Sequence, residues 1–383
     1  MAVDEVHGMP DATTFLDRYW QQRPLLIRTA FSDSHCPLSM DEVAGLALDE
    51  AIESRLIRGS TETGWSLQHG PFDETALSSL PEQDWTLLIQ DVDKHLPELA
   101  GVLDRFSFLP DWRVDDLMIS IAADGGSVGA HRDRYDVFLL QAQGRRRWLI
   151  DSDPAAPPQD DDRGPLRLLR DFSPSDDMLL QAGDMLYLPA GVPHHGVADG
   201  ICQTWSVGFR GPKPDELLAE LFQILVAQCA DQVLTDRLRT PSRHRAELDQ
   251  ASLEGLRAAL RQAIGTDDAL LDRAIASALS TPKPGLPHPE DEPEPNLPEA
   301  LPGDAMLLRN PVSRIVRLPD RNDGFYLNGS HQPLAPACLP LLRQLTEKSQ
   351  VRVSELALAR YGKEGEALLF GLLRGGHWWL MDD

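Results

Sequence analysis

The sequence predicts an α+β protein: an antiparallel β-barrel or sandwich first, then helices, then a small domain with the element order of a winged helix. Three observations carry this. Between residues 114 and 209 the chain is a series of short apolar runs broken by glycine- or proline-rich turns, the pattern of an all-β barrel or sandwich. From Lys213 to Ser280 the apolar residues recur at helical spacing. The segment TPKPGLPHPEDEPEPNLPEALP, Thr281–Pro302, is dense in proline and acid, the composition of an extended linker.

Taken in order, FLDRYWQQRPLLI is an N-terminal helix broken by Pro24. DDLMISIA, YDVFLLQA, RRRWLI, DMLYLP and CQTWSVGF read as strands. Pro214 and Asp215 open a helix carrying Leu217, Leu218, Leu221, Phe222 and Leu225. Leu253, Leu256, Leu260 and Ile264 mark another, with Gly265 as its stop. Helices of this size rarely bury their apolar faces unaided, so a homodimer through this region is expected. After the linker, PLLRQLTEK, SELALARYG (capped by Ser354) and EGEALLFGLLRGG give three helices, and HWWLM a closing strand. The expected divisions are 1–211, 212–280, 281–303 and 304–383.

The 383 residues include 36 basic and 60 acidic side chains, a net charge of −24. Such a surface repels phosphate and argues against nucleic acid as a partner, while it attracts a basic protein. Cys36, Cys202, Cys229 and Cys338 are scattered, which suggests neither a zinc knuckle nor a disulfide framework. The start, MAVDEVHGMP, has no positive leader with an apolar core. No apolar run approaches the roughly 20 residues that span a bilayer. A cytoplasmic protein without a membrane segment is expected.

The chemistry concentrates in GAHRDRYDVFLLQAQGRRRWLI, Gly129–Ile150. Alone, His-x-Asp is weak evidence. Placed at the head of a strand, however, His131 and Asp133 fall on one face. The later GDMLYLPAGVPHHG offers His194 and His195 as a third ligand, and spacing does not choose between them. Two imidazoles and one carboxylate, with open positions left over, form the facial triad of non-haem iron oxygenases. The HRD tripeptide also occurs in protein kinases, but Phe138 stands where a kinase needs asparagine, and no D-F-G is present. An iron with open positions can take a 2-oxoacid, whose far carboxylate needs a buried cation. Strand alternation allows either Arg146 inward or Arg145 and Arg147 inward, and one buried charge costs less than two. On DDLMISI, Asp116, Met118 and Ser120 share one face, which places a carboxylate in or at the mouth of a cavity where a basic side chain would satisfy it.

The runs DDLMISIAADGGSVGAHRDRYDVFLLQAQGRRRW, GDMLYLPAGVPHHG and SVGFR, with YWQQRPLLIR near the start, resemble the JmjC-type ribosomal oxygenases of bacteria over essentially the whole chain. That family hydroxylates an arginine of the large-subunit ribosomal protein L-sixteen. The resemblance implies a double-stranded β-helix of the jelly-roll (cupin, JmjC) type, a helical dimerisation region and a C-terminal winged helix. It implies Fe(II) on His131, Asp133 and His194, with 2-oxoglutarate and dioxygen as cosubstrates. Arg146 matches the residue that holds the 2-oxoglutarate carboxylate, and Ser120 is expected beside it. Asp116, Met118, Tyr135, Ser206 and Phe209 match positions lining the substrate-arginine pocket. Other readings are a histidine or another basic-protein target, and a non-catalytic metal-binding cupin whose winged helix is an interaction module.

Overall fold

The computed structural model describes residues 3–31, 37–60, 62–152, 159–161, 164–229, 250–265, 267–291, 293–319 and 321–381. Cys36 and residues 230–249 of the expected helical region lie outside the described residues. The chain forms two compact units, the first comprising Met1–Gly211 and Glu347–Gln350.

In chain order the first unit contains β1 (Asp4–His7), α1 (Ala12–Arg18), β2 (Leu25–Arg28), α2 (Met40–Leu46), β3 (Ser54–Ser60), β4 (Gly64–His69), α3 (Glu74–Ser78), β5 (Trp85–Ile89), α4 (Val92–His95) and α5 (Ala100–Leu103). There follow β6 (Val114–Ala122), β7 (Asp136–Ile150), β8 (Asp160–Asp161), β9 (Leu168–Leu169), β10 (Asp176–Gln181), β11 (Met185–Leu188) and β12 (His194–Phe209). Ten strands pair in the order β1-β2-β11-β7-β12-β6-β5-β3-β4, with β10 also on β7. This is the jelly-roll arrangement that the sequence leads one to expect. One face of the sheet packs on the N-terminal helices through Phe15, Val43, Leu87, Ile119, Phe138 and Val207. The other face carries a smaller apolar cluster that includes Val137, Leu139, Trp148, Ile150, Leu186 and Leu188.

The two runs YDVFLLQA and RRRWLI are one continuous strand, β7, and not two. Its first half lies between β11 and β12, and its second half between β10 and β12. The ladder with β12 shifts register between Asp199 and Thr204, opposite Gly144. Gly144 has φ +66, and a Cβ there would lie 2.3 Å from the carbonyl oxygen of Ile201. The irregularity switches which residues face inward. Val137 and Leu139 before it share a cluster with Trp148 and Ile150 after it, although odd and even positions of an unbroken strand face opposite ways.

The second unit comprises Pro212–Thr346 and Val351–Asp383. It holds α6 (Pro214–Cys229), α7 (Gln250–Ile264), α8 (Asp268–Ser280), β13 (Met306–Arg309), β14 (Ile315–Val316), β15 (Gly324–Leu327), β16 (Ser330–Pro333), α9 (Leu339–Glu347), β17 (Gln350–Arg352), α10 (Gly362–Arg374) and β18 (Trp378–Leu380). Two three-stranded sheets, β17-β13-β18 and β14-β15-β16, flank a core of Leu307, Phe325, Leu341, Leu345, Leu369, Leu373 and Trp378. Three expectations are corrected here. SELALARYG forms two 3-10 turns, Val353–Leu356 and Leu358–Arg360, because Ala357 between them adopts φ +47. Ser354 therefore lies inside a turn and caps no helix. Thr281–Pro302 does not stand apart as a spacer, since Leu297 and Leu301 pack against the C-terminal core. Moreover α8, on its N-terminal side, is fastened to the β15–β16 hairpin: Ser277 Oγ donates to the Gly329 carbonyl at 2.5 Å and Gly329 N–H donates to Ser280 Oγ at 3.1 Å.

Gly144→Ala introduces both a left-handed alanine and a collision with backbone, and is expected to cost about 2–4 kcal/mol. Urea denaturation of the two proteins checks this, and an unchanged midpoint would show that the bend tolerates a side chain.

Candidate active site

His131 and His194 face each other across a backbone bridge, His131 N–H to His194 O at 3.0 Å and the reverse at 2.9 Å. Their rings sit 4.3 Å apart between centroids. Each ring is oriented in the same way: Nδ1 meets the carbonyl two residues earlier, Gly129 for His131 and Val192 for His194, both at 2.9 Å. A carbonyl only accepts, so Nδ1 carries the proton and Nε2 presents its lone pair. Asp133 completes the group. Its Oδ1 lies 3.8 Å from His131 Nε2 and its Oδ2 3.6 Å from His194 Nε2, beyond hydrogen-bond reach. The three ligand atoms lie within 4.8 Å of one another, the only such group of His, Cys, Asp or Glu among the described residues.

Burial, with His131 nearby, pushes the His194 imidazole down to about 4, so it is neutral and ready to ligate at pH 7. His195, the rival by spacing, takes the opposite side of β12 and packs its ring against Phe172. With two imidazoles, one carboxylate and no thiolate, the donor set suits Fe(II) and lacks the closed four-ligand shell of a structural zinc.

Arg146 is the inward arginine. It is 6% exposed, whereas the side chains of Arg145 and Arg147 are 55% and 60% exposed and pair with Asp199 and Asp177. On β12 the inward rungs opposite Ile150, Trp148 and Arg146 are His194, Gly196 and Ala198. Trp148 thus stands between ligand and cation, 5.8 Å from the His194 ring and 5.8 Å from the Arg146 guanidinium carbon. Gly196 makes room for it, since a Cβ there would come within 2.7 Å of the indole. Arg146 Nη1 donates to Ser120 Oγ at 3.4 Å, while its Nε and Nη2 are buried with no partner among the described residues. A buried guanidinium with two unmet donors is built for a carboxylate ligand.

The expected substrate residues divide by strand parity. Met118, Ser206 and Leu139 are cross-strand partners and share a face. A Cβ on Gly208 would lie 3.3 Å from Asp116 Oδ1 and 3.5 Å from the Tyr135 ring, so Asp116 and Tyr135 converge there. Burial, then the neighbouring Asp133, Asp116 and Asp115, push the Tyr135 hydroxyl far up, and it stays protonated. Phe209 is not among them. It is fully buried in the helix-facing core against Trp20, Phe106 and Phe138. Three residues along a strand from Ser206, it must face the other way. Gln90, Trp148, Gly196 and Gly208 are site residues that the sequence reading missed. Only the final glycine of PHHG and the glycine of SVGF carried a signal.

Arg146→Ala is expected to weaken 2-oxoglutarate binding at least about 100-fold, because the ligand carboxylate would be buried unpaired. Arg146→Lys, which keeps the charge and loses the planar fork, is expected to lose about tenfold. Calorimetric titration with 2-oxoglutarate and a redox-inert divalent metal measures both, and equal affinities in the three proteins would remove Arg146 from the site.

The profile of the JmjC domain family matches residues 101–217, and that of the ROXA-like winged helix matches residues 259–379. The ribosomal protein uL16 3-hydroxylase of Escherichia coli is 31% identical over 95% of this chain and 96% of its own length. A probable ribosomal oxygenase of Haemophilus influenzae is 32% identical over 70% of this chain and 68% of its own. Among solved structures, Escherichia coli YcfD superposes with a TM-score of 0.79 at 30% identity, covering 97% of this chain and 99% of that one. The same protein in complex with cobalt and 2-oxoglutarate gives 0.77 at 29%, covering 98% and 99%. Sequence, fold and site agree: this chain belongs to the JmjC-type ribosomal oxygenase family of 2-oxoglutarate-dependent hydroxylases.

Proposed function

We propose that the protein hydroxylates the β-carbon of an arginine in a large-subunit ribosomal protein, using Fe(II) on His131, Asp133 and His194. The observation that carries the substrate side is Asp116. It is a carboxylate 4% exposed that converges with Tyr135 at Gly208, as a pocket for a guanidinium requires. The Escherichia coli relative is named for 3-hydroxylation of uL16, and a net charge of −24 suits a strongly basic partner over nucleic acid. The same reading places the protein in the cytoplasm. No described helix is long and apolar enough to cross a membrane.

Bound at this site, the metal and 2-oxoglutarate supply the oxidising chemistry that inserts one atom of dioxygen into a C–H bond, with succinate and carbon dioxide as co-products. The chain's own part is positioning. Arg146 and Ser120 hold the cosubstrate's far carboxylate. Asp116 takes the guanidinium, and Met118 and Ser206 line the side of the pocket, so the β-carbon faces the metal ligands. Tyr135, held protonated, has a hydroxyl donor to offer beside them. Mass spectrometry after incubation with Fe(II), 2-oxoglutarate, air and the ribosomal protein is expected to find one added oxygen on one arginine. The oxygen should be absent with His131→Ala. Oxygen on a histidine would shift the substrate class, and none on the wild type would defeat the reading.

A homodimer through the helices is supported by what they leave uncovered. Leu218, Phe222 and Val226 on α6, and Leu256, Leu260 and Ile264 on α7, are 43–68% exposed. They recur every four residues, as one apolar stripe on each helix. Leu256→Glu with Leu260→Glu is expected to convert a dimer to a monomer, read by light scattering. A wild type that is monomeric at micromolar concentration would exclude the dimer.

A further inference from the structure

A carboxylate as buried as Asp116 needs donors to fix it, and the substrate is present only part of the time. Two donors reach its Oδ2 from the chain just after β5. One is the side-chain amide nitrogen of Gln90, and the other is the backbone N–H of Asp91, at 3.3 Å. The Gln90 amide has only one way to face. Arg55 Nη2 donates to Gln90 Oε1 at 2.9 Å. A guanidinium can only donate, so the amide oxygen is committed to Arg55 and the NH2 to Asp116. Register supports this placement, since Arg55, Leu88 and Ser120 are successive cross-strand partners on β3, β5 and β6.

The segment that carries these donors is itself pinned. Asp91 holds a left-handed φ of +53, a conformation that non-glycine residues keep where the surroundings impose it. Two residues on, Asp93 is fully buried, accepts the N–H of Leu117 at 2.8 Å and pairs with Lys94. Residues 90–94 are thereby fastened to β6 at Asp116 and again at the next residue, Leu117.

We propose that Gln90 is a positioning residue that sets the preference of the site for a guanidinium. It fixes the plane of the Asp116 carboxylate so that Oδ1, on the Gly208 side, meets the substrate edge-on. Its own side chain need not touch the substrate. The inference rests on the arginine reading above and adds the residue that enforces it.

The test measures binding of an arginine peptide from the ribosomal substrate, and of its citrulline counterpart, to full-length protein with cobalt(II) and 2-oxoglutarate under nitrogen. Gln90→Leu is expected to weaken the arginine peptide at least tenfold and to leave the citrulline peptide unchanged. Added to Asp116→Asn, it should cost nothing further. Gln90→Met, of similar length without the donor, should weaken the arginine peptide as strongly. In turnover, both variants should raise KM with kcat little changed. Unaltered 2-oxoglutarate affinity in every variant shows that the fold is intact. Wild-type affinity for the arginine peptide in both Gln90 variants would overturn the proposal. So would equal weakening of the two peptides, a full loss in the Asp116→Asn background, or a wild type that does not prefer arginine to citrulline. Because the cycle reads binding, it decides Gln90 even if the arginine peptide gains no oxygen, a result that overturns only the substrate reading.

Discussion

The site depends on one long ladder, β7 against β12, and on the irregularity that interrupts it. Each strand is long enough to belong to both halves of the jelly roll. The first half of β7 pairs with β11, while the second half pairs with β10. An unbroken strand would keep one parity inward throughout. Arg146 and Trp148 would then face away from the cluster that Val137 and Leu139 join. Gly144, with its positive φ and its close approach to Ile201, lets the parity change. His194, Gly196 and Ala198 then stand opposite Ile150, Trp148 and Arg146. Metal ligand, indole wall and cation arrive together as neighbouring rungs of rigid sheet. A loop could carry the same residues but would not hold them to the same tolerance.

Electrostatics divides this inner face. Buried charge is costly, so each such group has its own remedy. His194 avoids the cost by staying neutral. Arg146 has one hydroxyl partner and, among the described residues, none for Nε and Nη2, so an anionic ligand would meet two waiting donors. Asp116 is an acidic group, and an amide and a backbone N–H hold it. On the proposed reading a dicarboxylic cosubstrate would go to Arg146 and a cationic side chain to Asp116, with His194 two rungs from the partner of Trp148 on β12.

Much of this was legible in sequence because it follows from local chemistry. The His-x-Asp spacing is weak alone, but with a later PHHG and an arginine-headed strand it states a requirement that few other arrangements satisfy. Where reading failed, the cause was geometry that acts across strands. Phe209 was grouped with Ser206 by resemblance, yet strand parity alone sends it into the aromatic core with Phe138. Alternation alone left Arg146 or the pair Arg145 and Arg147, and the cost of buried charge favours Arg146; in the structure the parity is set at Gly144, by contact with a residue 57 positions later. SELALARYG has helical composition, but Ala357 in a left-handed conformation breaks it. The proline-rich segment looked unable to pack, and two leucines, Leu297 and Leu301, were enough to lay it on the C-terminal core.

The two halves of the chemistry are carried by different parts of the chain, and this has a consequence for specificity. Of the proposed metal and cosubstrate groups, His194 and Arg146 stand on the β7–β12 ladder, whose rungs constrain one another closely, and His131 is bridged to His194 just before β7. Changing Gly196, for example, would drive a side chain into Trp148. The substrate side depends on β6 and on residues 90–94, joined to the ladder through the Met118–Ser206 pairing. Altering Asp116 or its donors disturbs none of the metal ligands directly. A fold built in this way can exchange one basic target side chain for another at β6 while the oxidising centre keeps its geometry. On the proposed reading, the choice of substrate turns on the group at position 116 and the donors that fix it, and not on the metal ligands.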